Sequence, residues 1–304
     1  MKILQSSWQD ARGLKFHLQA WEPDRRPRAV IALLHGLGEH VARYSTVAQE
    51  LVKAGYAVMA MDLRGHGRSG GQRGHTPSYD ALLDDIEALL ARVAERYPRL
   101  PVFLYGHSLG GSLAINLVLR RRPRLRGVIT TAPWFRTAVD PPPLKVALAK
   151  ALEPILPTYS DHWGVDPDSL SHDTSVGDAY VRDPLVHGRI SARMYRTSAQ
   201  AGLWALEHAH EYALPLLLMH GTADKVTSWE ASQEFARRSG KQVTLRLWEG
   251  WYHELHNEPQ SRRVVRTMVN WMNRMLEAKA RAKPSAGQKR RAMRKSRPLR
   301  THRA

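Results

Sequence analysis

Residues 104–112 read LYGHSLGGS and place a serine, Ser108, between Gly106 and Gly110 at the end of an apolar run. A G-x-S-x-G pattern alone decides little. With Gly and Ser each near ~7% of residues, it arises by chance in roughly one chain of this length in ten. Its neighbours carry the reading. VFLYG at 102–106 has the apolar character of a buried strand, and LGGSLAINLVLR at 109–120 continues as a helix. Strand, sharp turn and helix are the setting of a nucleophile elbow, in which the serine backbone is strained and the hydroxyl stands clear of the sheet. Gly106 and Gly110 are then required, because a Cβ at either position would collide with the facing backbone. The helix that starts after Ser108 also aims backbone N–H groups at developing negative charge.

Outward from the elbow, short apolar runs alternate with longer helical segments, the signature of βαβ units around a mostly parallel sheet. Strands are expected at 16–22, AVIALLHG from 29, AVMAMD from 57, VFLYG from 102, GVITTA from 127, PLLLMHG from 215 and VTLRLWEG from 243. Most are apolar throughout, as strands covered by helices on both faces must be. Helical stripes run through 79–97 (Leu82, Ile86, Leu89, Leu90, Val93) and 259–278 (Val264, Val265, Met268, Trp271, Met272, Met275). From 134 to about 190 the alternation breaks, no strand is evident, and prolines cluster in VDPPPLKVALAKALEPILPTY. This segment reads as an inserted helical cap, with Leu144, Ala147, Leu148, Ala151, Leu152 and Ile155 on helical spacing. The expected organisation is a hydrolytic core over 1–133 and 201–278, a cap over 134–200, and a disordered basic tail over 279–304.

Composition narrows the chemistry. The 304 residues include no cysteine, which removes disulfides, thiolate metal sites and a Cys nucleophile together. No signal-peptide h-region and no membrane-spanning run is present, so a cytoplasmic location is expected. The net charge of +18 is concentrated: eleven cations and no acid follow Glu277, leaving +7 for the body. The tail reads as a solvated disordered extension, with peripheral contact to an anionic membrane surface as the alternative, and nucleic acid is not an expected partner. No oligomeric state is read from the sequence.

A serine hydroxyl needs a general base, itself held by a carboxylate. After PLLLMHG, Asp224 is the only carboxylate between Tyr212 and Ser228, so it is the expected acid. After the last strand, EGWYHELHNEP offers two imidazoles, and His253 stands closer to the strand's C-terminal end, where sites gather in open α/β sheets. His256 is expected to make an ordinary polar contact at the start of the final helix. The H-E-L-H spacing is wrong for a zinc hydrolase, which needs two histidines at i and i+4, so neither metal nor other cofactor is expected. The backbone N–H groups of Leu37, in HGLGEHVARY, and of Leu109 are expected to form the oxyanion hole. Glu39, His40 and Arg43 in that loop are ambiguous by physics alone, since charged loop residues usually just face solvent, and DLRGHGRSGG at 62–71 reads as a tight loop beside the site.

HGLGEHVARY, DLRGHGRSGG, PVFLYGHSLGG, HGTADKVTS and EGWYHELHNEP, with RDPLVHGRISARMY in the cap, resemble in order and spacing the motifs of the monoacylglycerol lipase-like α/β-hydrolases, the lysophospholipase and serine aminopeptidase group. The resemblance covers about residues 8–277. It implies an α/β-hydrolase fold with a helical cap over an acyl channel and a Ser108, Asp224, His253 triad with Leu37 and Leu109 as oxyanion donors. The implied reaction is hydrolysis of monoacylglycerol or lysophospholipid esters through an acyl-enzyme, without a cofactor. A short-chain carboxylesterase or an aminopeptidase would use the same triad. A binding protein acting through the basic tail is the reading of another class.

Overall fold

The computed structural model describes residues 1–140, 142–162 and 164–282. Eight strands form one sheet: β1 (Lys2–Gln9), β2 (Lys15–Glu22), β3 (Val30–Leu34), β4 (Ala57–Met61), β5 (Val102–His107), β6 (Gly127–Thr131), β9 (Leu216–Gly221) and β10 (Val243–Trp248). Their order is β1-β2-β4-β3-β5-β6-β9-β10. β1 and β2 run antiparallel at one edge, and every pair from β4 onward is parallel. Side-chain alternation splits β3 between two cores: Val30, Ala32 and Leu34 face one, Ile31 and Leu33 the other. On the first face pack α2 (Tyr79–Arg96) and α3 (Leu109–Arg121); on the second, α1 (Ser45–Lys53) and α8 (Arg262–Ala282). The two predicted stripes do this work, with Leu82, Ile86, Leu89 and Val93 fully buried on α2 and Met268 and Met272 on α8.

Every strand expected from the sequence is present. β1 was not foreseen, because KILQSSWQ is exposed on nearly every residue and lacks an apolar signal; its anchor is Trp8, stacked on Phe16 of β2 at 4.6 Å. The helix after β9 is α7 (Trp229–Ser239).

Between β6 and β9 lie α4 (Pro143–Leu152), β7 (Ser160–His162), α5 (Thr174–Arg182), β8 (Arg189–Ser191) and α6 (Ala192–Glu207). The expectation that this stretch holds no strand is corrected: β7 and β8 pair antiparallel, three residues each, too short to show an alternation. The boundary drawn at 200 falls inside α6. The apolar helix is also correctly placed but not buried. Leu144 is 81% exposed and Ile155 77%, while Leu148 and Leu156 are about half exposed.

Two straps fasten this insertion over the C-terminal edge of the sheet. At one, Glu254 N–H donates to the Leu170 carbonyl at 2.8 Å; at the other, His187 N–H donates to the Gly38 carbonyl at 2.8 Å and Ser191 N–H to Gly74 at 2.9 Å. α8 continues to Ala282, past the expected end at 278, and the remainder of the predicted tail lies outside the described residues.

Candidate active site

Ser108 caps the N-terminus of α3 with φ +53° and ψ −116°, a left-handed conformation that a non-glycine residue adopts only where the surroundings impose it. Its backbone is held from three sides, by N–H donation to Thr131 O and by carbonyl acceptance from Ser112 and Trp134, all at 3.0 Å. A Cβ on Gly106 would overlap the Gly110 carbonyl, and one on Gly110 would overlap the carbonyls of Leu34 and His35. Both glycines are thus required for the reason expected. The elbow seats Ser108 on a cavity of about 60 Å³ that is also lined by Gly36, Leu37, His107, Trp134 and His253.

Asp224 and His253 meet beside it, from the loops after β9 and β10. His253 Nδ1 donates to Asp224 Oδ2 at 2.7 Å, and both side chains are buried. Asp224 is fixed on its other oxygen by the backbone N–H groups of Val226 (2.7 Å) and Thr227 (3.0 Å). Burial alone would raise the Asp224 pKa, but the charge of His253 and the hydrogen bond from His220 outweigh it and hold the carboxyl far below the usual range. For His253, burial disfavours the charged ring, yet Asp224 more than compensates and the pKa rises above 6.5. With Nδ1–H committed to Asp224, Nε2 carries the lone pair. Ser108 Oγ and His253 share the cavity wall without a direct hydrogen bond, a looseness common in such pairs until substrate seats. The Leu109 N–H is the first of α3 and has no partner within the helix, and the Leu37 N–H meets no backbone acceptor.

A family profile described as serine aminopeptidase, S33, matches residues 25–260. The chain belongs to this family. Among its relatives, an abhydrolase domain-containing protein of Dictyostelium discoideum is 37% identical over 272 residues, 88% of this chain but 29% of that much longer one. A monoacylglycerol lipase of Mycolicibacterium smegmatis is 33% identical over 86% of this chain and 93% of its own. Among solved structures, a monoacylglycerol lipase of Paleococcus ferrophilus superposes with a TM-score of 0.76 at 32% identity, covering 91% of this chain and 99% of that one. The fold is that of the α/β-hydrolases.

In this family member the loop charges that the sequence leaves ambiguous are buried. Glu39 Oε1 accepts from the Gly36 N–H at 2.5 Å and from Tyr44 Oη–H at 2.7 Å, so it shapes the loop that presents Leu37. Arg43 joins Glu39 (3.2 Å) to Glu254 (2.7 Å), the residue next to His253, with all three side chains less than a tenth exposed. His40 Nε2–H donates to Asp183 Oδ2 of the insertion at 2.8 Å. Burial favours neutralisation of Glu39, but His107 and Arg43 keep its carboxyl well below the ordinary range. One buried cation therefore ties the loop of Leu37 to the loop of His253.

His220 was hidden in the apolar run of β9. Its Nε2 donates to Asp224 Oδ2 at 3.0 Å while Nδ1 accepts from Ser232 Oγ–H at 2.7 Å, so the catalytic-loop carboxylate is gripped by two imidazoles. A histidine four residues before the aspartate is the only sequence signal. His256 departs from its expected role. It is buried with neither ring nitrogen hydrogen-bonded, stacked on Tyr44 at 4.7 Å and set edge-on to His107 at 4.8 Å, and α8 begins six residues later. His107 in turn packs on the His253 ring at 4.7 Å. Burial lowers the pKa of both His107 and His256, and the His107 ring packs between those of His256 and His253. The loop DLRGHGRSGG braces the Leu37 loop at its far end, where Asp62 accepts from Val41 N–H at 2.8 Å.

Proposed function

We propose that the protein is a serine hydrolase that cleaves the carboxylic ester of a single-chain lipid, a monoacylglycerol or lysophospholipid, with Ser108 as nucleophile. The observation that carries this reading is the strained Ser108 elbow opening on one cavity with His253, whose Nδ1 is locked to a buried Asp224. His253 Nε2 takes the proton of Ser108 Oγ–H as the oxygen attacks the ester carbonyl. Asp224 holds the ring in that tautomer and stabilises the imidazolium. The amides of Leu37 and Leu109 receive the oxyanion. Collapse of the tetrahedral intermediate moves the proton from Nε2 to the leaving alcohol and leaves an acyl ester on Ser108. Water, deprotonated by His253, then releases the fatty acid. The relatives named as monoacylglycerol lipases support the lipid ester as substrate.

The aminopeptidase alternative needs a carboxylate free to hold an α-ammonium group. The cavity has two, Glu39 and Glu254, and both are engaged by Arg43. Ester hydrolysis is therefore favoured. At ~10–15 Å³ for each water centre, the space of about 60 Å³ over Ser108 admits roughly five waters, and the insertion walls it with Val165, Leu170 and Tyr180.

Fatty-acid release from a long-chain monoacylglycerol, measured for the wild type and Ser108→Ala together, tests the reading. The wild type should release acid, and the variant should lose at least ~10⁴-fold while melting at the same temperature. Activity of Ser108→Ala within ten-fold of the wild type would remove Ser108 from the role. Turnover of aminoacyl amides or short esters alone would remove the lipid.

A further inference from the structure

The strands of the parallel sheet have a second edge, where the chain enters them. The loops before β3, β4, β5, β6, β9 and β10 are 23–29, 54–56, 97–101, 122–126, 212–215 and 240–242. They carry eight cations, three each on 25–28 and 122–126 with Arg99 and Lys241, against one acid, Asp24. Asp24 is taken by the N-terminal ammonium at 2.8 Å. Among the described residues none of the eight cations forms an ion pair.

Arg124 and Arg126 line a groove of about 760 Å³ with Leu100, Pro123, Leu214 and Ala278. Ala278 belongs to α8, which runs to Ala282, and eleven further cations and no acid follow Glu277 in the sequence. The surplus of these loops equals the +7 of the whole body without the tail. The rest of the body sums to zero. The cations behind this surplus are scattered along the sequence, and the fold gathers them at one end.

We propose that this end of the protein binds the phosphate backbone of a nucleic-acid duplex without reading its bases. Six strand ends spaced by ~4.8 Å make a front of roughly 25 Å. Along that length duplex DNA presents ~15 charges at one per ~1.7 Å, enough for every cation of the front. A bilayer fits less well. The exposed apolar side chains Leu144, Leu148, Ile155 and Leu156 stand on the insertion strapped over the opposite edge, so a bilayer on the basic end would leave them and the cavity of Ser108 turned to water.

The test is fluorescence anisotropy of a labelled 20-base-pair duplex of arbitrary sequence with the full chain, between 50 and 200 mM salt. The comparison protein is Arg99→Asn, Arg122→Asn, Arg124→Ser and Lys241→Ser combined. Asparagine suits the first two positions, whose φ values of 68° and 50° are left-handed. The wild type should bind with a steep salt dependence, and the variant's slope of log K against log salt should shrink by roughly 3 to 4, at ~0.9 per lost phosphate contact. Ester hydrolysis and melting temperature should not change. No duplex binding by the wild type at 50 mM salt would overturn the proposal, as would a variant slope equal to that of the wild type, which would assign binding to the tail alone. Tighter binding to phosphatidylglycerol vesicles than to duplex, lost in the variant, would reassign this end to a bilayer.

Discussion

The two edges of one sheet use charge in opposite ways. The loops leaving the strands, 35–44, 62–78, 132–140, 222–228 and 249–261, hold six cations and seven acids; the loops entering them hold eight cations and one acid. At the first edge the decisive charges are buried and tied to one another, as in Glu39–Arg43–Glu254 and Asp224–His253. At the second, among the described residues, none of the cations forms an ion pair. Burying a pair costs desolvation and returns a fixed geometry, which a site that must hold Leu37, Ser108 and His253 in register needs. Exposed cations fix no geometry and remain available to an external anion. The same residue types therefore serve positioning at one end and attraction at the other.

Substitutions can break or sharpen that contrast. The largest effect after loss of Ser108 is expected for Asp224→Asn, which keeps the shape of the site but not the charge that selects the tautomer of His253. Activity should fall by ~10⁴-fold with the fold intact by circular dichroism, and full activity would require another acid. Next, Arg43→Leu leaves two buried carboxylates unpaired and should cost about 3–5 kcal/mol in urea unfolding. Arg124→Leu, the same change at the other edge, should stay within ~0.5 kcal/mol. Equal costs would erase the distinction between the edges.

His220→Leu removes one of the two imidazoles on Asp224. A fall in kcat of roughly 10- to 100-fold at unchanged KM is expected, the scale seen for outer partners of metal ligands. His220→Gln, which keeps an N–H within reach of Asp224, should recover most of it, and failure to recover would mean that His220 acts through packing. The smallest effect concerns pH. His253 must be neutral to accept a proton, so activity falls as pH falls, and because Asp224 raises its pKa the acid limb of kcat/KM should be centred above 6.5. A limb centred below 6.5 would show burial to dominate.

How much of this was legible in the sequence varied by residue. The elbow, Asp224, His253 and the parallel strands were readable because apolar runs and glycines report local geometry directly. β1 was not, since an edge strand exposed on both faces needs no apolar pattern. Glu39 and Arg43 were ambiguous because a charge in a loop looks alike whether solvent or another charge answers it. Their partner, Glu254, lies 211 residues from Arg43. The basic edge was invisible for the same reason: its cations are scattered over 25–28, 99, 122–126 and 241, and only the strand order brings them together.

The central claim, that Ser108 is an activated nucleophile, is met most directly by reacting the protein with an alkyl fluorophosphonate and locating the adduct by peptide mass spectrometry. A single adduct on Ser108, formed by the wild type and strongly slowed in His253→Ala, is the expected result. Labelling of another residue, or labelling of Ser108 at the same rate without His253, would contradict it.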